Sequence, residues 1–187
     1  MQTVSEMQKQ TRELDIVRII LEDHKPLKQL IAIMKDDEQP HAERFEAFEA
    51  FAPLLVAHAK PEEEVLYTFM KERSELKEIA CEGDVEHSLA DQLVEMAKRE
   101  TDEDTKAAQI KVLAELVEHH IEEEEEDLLP EFKKETNHQE RVKMGDSFLE
   151  LKIQYLAAGD DNIIPDPRGQ HVAKKDLKSQ MRSQRSH

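Results

Sequence analysis

Two stretches of the chain open with a histidine and carry a glutamate four residues later: His58–Tyr67 reads HAKPEEEVLY and His120–Leu129 reads HIEEEEEDLL. Residues four apart share one face of a helix, so His58 projects with Glu62 and His120 with Glu124. Two more histidines follow the same repeat. His87 stands 63 residues after His24, and His120 stands 62 after His58. The text around His24 and His87 also matches, DHKPLKQL against EHSLADQL. The pattern is that of a helical hairpin written twice, which gathers four imidazoles and two carboxylates in one interior.

The faces involved are apolar. His120 continues the line of Leu113, Leu116 and Val117, and Leu128 lies one turn beyond Glu124. A carboxylate there must be paired, protonated or bound to metal, because burying it alone is very costly. No Lys or Arg falls on these stripes to neutralise it. A single histidine on such a stripe is ordinarily a hydrogen-bonded core residue; four under one repeat, two of them with glutamate in phase, point to a metal. Imidazole suits iron, zinc, copper and nickel, while carboxylate oxygen favours harder ions. Six ligands exceed what one tetrahedral zinc takes. The expected site is therefore dinuclear, with two iron ions as the expected metal. Each ion takes two imidazoles from His24, His58, His87 and His120, and Glu62 and Glu124 bridge. A solvent-derived bridge would raise each ion to five-coordinate and leave room for a small ligand.

Other groups are read as peripheral. His119 lies about 100° around the helix from His120 and faces solvent, and His138 is a surface residue. The run Glu122 to Glu126 is a solvated face except for Glu124. Glu63 and Glu125 match each other and keep a supporting or occasional ligand role open. Asp91, four residues after His87, either binds one ion or accepts a hydrogen bond from a ligand imidazole; the second is the expectation.

Long helices must position these residues. Apolar recurrence from Thr11 to Met34 defines a first helix containing His24, and a second runs from Ala42 into the seventies. Pro61, before three glutamates, resembles a helix start, but the unbroken HIEEE of the other half favours a continuous helix with a local kink. CEGDVEH, with a Gly and Asp84 as the cap, opens a third helix. A fourth runs from Thr105 to Lys134, and a fifth uses Met144, Phe148, Leu151 and Tyr155. These elements predict an all-α fold, an antiparallel up-down four-helix bundle with an additional C-terminal helix. The expected domain spans 1–158. Residues 159–187 form an irregular basic tail, mobile or packed on a partner.

Composition agrees. Among 187 residues only 4 are Gly, 38% are hydrophobic and Glu, Lys, Leu and Ala abound, which favours helix over strand. A net charge of −17 repels phosphate backbones, so nucleic acid is excluded as a partner of the main domain. The single Cys81 permits no internal disulfide, no apolar run reaches membrane-span length and the N-terminus lacks signal-peptide character; a cytoplasmic protein with no membrane partner is expected.

The order His24, His58-x3-Glu62, His87, His120-x3-Glu124 resembles the hemerythrin-like HHE cation-binding domain family over roughly Arg12 to Lys134. Leu66-Tyr67 after the first pair and Leu128-Leu129-Pro130 after the second are similar to the family as well. The resemblance implies a four-helix bundle with a non-haem, oxo-bridged di-iron site. It implies a protein that binds or senses dioxygen, nitric oxide or related small ligands. The same site could instead serve a di-iron enzyme (peroxide reduction, oxidation or repair of damaged iron centres) or iron storage and delivery. The sequence departs from the oxygen-carrying hemerythrins, which place a second histidine where this chain has Asp91. No acid–base residue outside the ligand set marks a substrate pocket.

Overall fold

The computed structural model describes residues 15–158, and helices are the only regular elements among them. The expected helix start at Thr11, the stripe position Leu14 and the basic tail from 159 onward lie outside the described residues. Helix α1 (Ile16–Lys35) is capped by Asp15, whose carboxylate accepts from the Val17 amide at 3.1 Å. Helix α2 (His41–Pro61) runs on without a break into a π-helical segment, π1 (Glu62–Tyr67), and a last turn, α3 (Thr68–Lys71). Then come α4 (Lys77–Arg99), α5 (Glu103–Glu123), the π-helical π2 (Glu124–Leu128), α6 (Leu129–Glu135) and α7 (His138–Ala158). Asp102 caps α5 by accepting from the Thr105 amide. The fifth expected helix is α7, with Met144 and Phe148 buried.

In the packed bundle α1 lies against α2 and α5, α4 lies against α5, and α7 covers α2 and α1. The buried side chains form two apolar blocks. One contains Leu27, Ile31, Phe48, Phe51, Leu55, Val94, Ile110, Leu113 and Val117. The other contains Ile16, Ile20, Leu66, Tyr67, Met70, Ala80, Leu128, Phe132 and Phe148. Along each long helix the switch from one block to the other falls where the repeated histidines and glutamates stand. Arg44 closes the upper end, donating to the carbonyls of Met34 (2.9 Å) and Ala107 (3.1 Å), so the last turn of α1 and the first of α5 are tied together.

Two boundaries differ from the sequence-based expectation. The third helix starts at Lys77, not at Asp84. Gly83 and Asp84 both lie inside it, and Asp84 forms an ion pair with Lys71 instead of capping. Gly83 is there because of Tyr67: a Cβ at this position would meet the tyrosine hydroxyl at 2.7 Å. The second difference concerns Pro61. The helix does continue through it, but the distortion is a π-helical widening that begins at Glu62. The same widening begins at Glu124, where no proline precedes it, so proline is not its cause. Single π turns within α-helices are rare and cluster at functional sites. Here both begin on the repeated glutamate.

Gly83→Ala tests the packing. Alanine gains about 1 kcal/mol of helix propensity over glycine, whereas overpacking a filled core costs about 1–3 kcal/mol. The variant should therefore unfold at lower denaturant concentration than the parent; an equal or higher midpoint would show that Tyr67 moves aside freely.

Candidate metal centre

His24 (α1), His58 (α2), His87 (α4) and His120 (α5) are buried between the two apolar blocks, together with Glu62 at the head of π1 and Glu124 at the head of π2. All six residues singled out in the sequence therefore meet in one layer. Their donor atoms fall into two groups, each compact enough to hold a cation. One comprises His24, His58, Glu62 and Glu124; the other comprises Glu62, His87 and His120. Glu62 is common to both. Glu124 Oε2 lies 3.2 Å from His24 Nε2 and 3.7 Å from His120 Nε2, so it reaches both groups too. Glu62 Oε2 lies 3.4 Å from His58 Nε2 and 3.7 Å from His87 Nε2.

The donor chemistry fits metal. Neither carboxylate oxygen of Glu62 has a hydrogen-bond partner, nor does either ring nitrogen of His58, although all are buried. Orphaned buried polar atoms are costly unless something satisfies them. His87 Nε2 and His120 Nε2 approach to 2.9 Å. The electrostatics also differ between the two glutamates. Burial, reinforced by the charge of Glu124, holds the Glu62 carboxyl well above the usual carboxylate range. Burial pushes Glu124 the same way, but the charges of His120 and His24 outweigh it and hold that carboxyl below the usual range. Tyr67 helps here: its buried hydroxyl donates to Glu124 Oε1 at 3.0 Å. Burial drives the His58 imidazole down to about 4, whereas at His120 the carboxylates of Glu124 and Glu86 overcome burial and raise it.

Each imidazole turns its second nitrogen outward toward a carboxylate. The Nδ1–H of His24 donates to Glu125 (2.8 Å) and that of His120 to Glu86 (2.6 Å). His87 Nδ1 lies 3.3 Å from Glu63 Oε1, and His58 Nδ1 lies 3.9 Å from Asp23. At His24 and His120 the outer acceptor fixes which ring nitrogen carries the proton and leaves Nε2 facing the layer, whereas the Nδ1 atoms of His58 and His87 make no hydrogen bond. The matched pair Glu63 and Glu125 thus takes a supporting position. Asp23 and Glu86 escaped the sequence reading, although each directly precedes a repeated histidine, and that shared place was the available signal. The contacts run crosswise: Asp23, beside His24, faces His58, and Glu86, beside His87, faces His120.

A lysine is buried beside this layer: Lys60 on α2. It does not neutralise Glu62; its ammonium binds Glu63 (2.7 Å) and Asp91 (2.8 Å). The hydrogen bond seen at Asp91 Oδ2 therefore comes from an ammonium rather than from a ligand imidazole. His119 and His138 are exposed, as their positions suggested. Glu86, His119 and Glu123 form a third, partly exposed group at the surface. It edges a cavity of about 220 Å³ between α4 and α5 that reaches His120 and Glu124.

The unlike surroundings of the two glutamates give opposite expectations for neutral isosteres. In chelator-treated protein at neutral pH, Glu62→Gln should leave the melting temperature unchanged or raise it, because burial and Glu124 already disfavour the charged form of that carboxyl. Glu124→Gln should lower stability by about 1–3 kcal/mol, since it weakens charged hydrogen bonds already made. Equal losses in thermal melts of the two variants would refute the distinction.

The model of the hemerythrin HHE cation binding domain matches residues 15–132, which include all six candidate ligands and more than half of the chain. Comparisons with curated proteins and with solved structures give no significant match. With the repeated His and His-x3-Glu positions meeting in one buried layer, the family match completes the identification: the chain belongs to the hemerythrin HHE cation-binding domain family.

Proposed function

We propose that this protein is a non-haem di-iron protein that binds or senses dioxygen, nitric oxide or a related small ligand. The observation that carries the reading is the pair of donor groups sharing Glu62, with Glu124 within reach of both. His24 and His58 would hold one iron through Nε2, His87 and His120 the other, and Glu62 and Glu124 would bridge. Two iron ions held there would supply redox chemistry toward a small ligand. Everything else is the work of the chain. Glu125 and Glu86 hold the rings of His24 and His120 in place, Tyr67 orients Glu124, and the two apolar blocks keep bulk water from the layer.

The proposal extends to the surroundings. Four long helices running antiparallel, up-down, account for one donor histidine from each of α1, α2, α4 and α5. Residues 1–158 would form this domain and 159–187 an appended arm. The single Cys81 and the absence, among the described residues, of a helix able to cross a membrane suit a cytoplasmic location. Lys60 holds Asp91 where oxygen carriers have a further imidazole, which favours sensing or scavenging over reversible carriage.

Purified anaerobically, the chain should contain about two irons and change its optical spectrum on exposure to air. Glu124→Ala should lose metal, because both ions share that carboxylate, while Glu123→Ala should retain it. A reproducible single zinc that iron cannot displace, or equal metal loss in the two variants, would overturn the di-iron reading. Repeated turnover of peroxide would shift it to an enzyme; uptake well beyond two irons, readily released to a chelator, would shift it to storage or delivery.

A further inference from the structure

Resting on the two-iron reading, we propose that the two ions experience unequal fields, set by Glu86 and Lys28, so that the ion held by His87 and His120 is the harder to reduce. The cause is the pattern of lysines behind the outer carboxylates. Around His24 and His58 each nearby carboxylate is matched by its own cation. Lys28 binds both oxygens of Glu125, at 2.8 and 2.7 Å, and Lys152 binds Asp23. Around His87 and His120 the matching fails. Glu63 shares its one lysine, Lys60, with Asp91. Glu86, which makes the shortest of the four imidazole contacts at 2.6 Å, has no lysine or arginine at ion-pair distance among the described residues. Its other close ionisable neighbours are His119 and Glu123.

The physical consequence follows from charge alone. A carboxylate accepting the Nδ1–H gives the imidazole part of its negative charge and makes Nε2 a stronger donor. A lysine on that carboxylate draws the charge back. Glu86 is only partly exposed, so solvent screens its uncompensated charge incompletely and the charge still acts on the neighbouring ion. It favours the more highly charged ferric state, so the potential of the ion beside His120 falls relative to that of the ion beside His24. The repeat makes the difference visible: Lys28 stands four residues after His24, and the equivalent position after His87 is Asp91.

The test uses the full chain loaded with iron and reduced stepwise by a chemical one-electron reductant, each ferric ion taking one electron to become ferrous. The parent should show two resolved steps. Glu86→Gln should raise the lower step and leave the upper, whereas Lys28→Gln, at a half-exposed side chain, should lower the upper step and leave the lower. Either change should reduce the stability constant of the mixed-valent state about tenfold, equivalent to about 59 mV for a one-electron couple. Glu82→Gln makes the same charge change one turn from Glu86 without touching an imidazole and should move neither step. Should Glu86→Gln fail to fold, Lys28→Gln carries the test. Coincident steps in a parent holding two irons, parallel shifts of both steps, or shifts no larger than those of Glu82→Gln would overturn this proposal alone. Fewer than two irons in the parent would instead remove the di-iron reading beneath it.

Discussion

Two carboxylates buried in an apolar interior dominate the energetics of this bundle. Glu62 and Glu124 are almost wholly removed from water, one with no hydrogen-bond partner and the other bound by a tyrosine and two histidines. Solvation lost on that scale has to be returned by partners, and the partners come from every long helix. The chain devotes its repeated histidines, the hydroxyl of Tyr67 and the packing of Gly83 to this layer. Gly83 has no side chain because Tyr67 has to reach Glu124. Fold and site are therefore one design problem: the apolar blocks above and below are ordinary, and the polar layer between them dictates the exceptions.

The layer is organised as a ring of reciprocal contacts. The acid beside each histidine or glutamate serves a histidine of a neighbouring helix, so each helix supplies both an inward donor and an outward acceptor. This arrangement ties helix spacing to ring orientation, since a shift of one helix moves a donor on it and an acceptor for its neighbour together. Hydrogen-bonded layers of this kind are demanding, because any member left unpaired is costly. Here unpaired atoms remain at Asp23, His58, Glu62 and His87.

Much of this was legible in the sequence, for a definite reason. Helical phase alone places His58 with Glu62 and His120 with Glu124, and the duplication places His24 and His87. What was not legible depends on contacts between helices. The start of α4 at Lys77 was hidden because Gly83 and Asp84 resemble a break, and only the approach of Tyr67 explains the glycine. The burial of Lys60 depends on Asp91 and Glu63, which draw it inward from two elements. Glu86 and Asp23 carried a signal in DH and EH, but which histidine each serves is decided by how neighbouring helices are rotated. Pro61 drew attention to a real irregularity while suggesting the wrong cause.

The two π turns have a bearing on how the chain can change. A π turn closes its hydrogen bonds over five residues instead of four, so it stores one residue more than the α-helical turn it replaces. Each long helix that contains one is thus an α-helix that has absorbed a single-residue insertion, with the surplus looped at the glutamate. Beyond it, Leu66 and Met70 in one half and Leu128 and Phe132 in the other still fall on the inner side. Removing one residue beyond the glutamate in either turn would restore plain helical winding without disturbing the packing further down, and the glutamate would keep its place four residues after its histidine. Length variation of one residue is therefore tolerated by the scaffold at these two points.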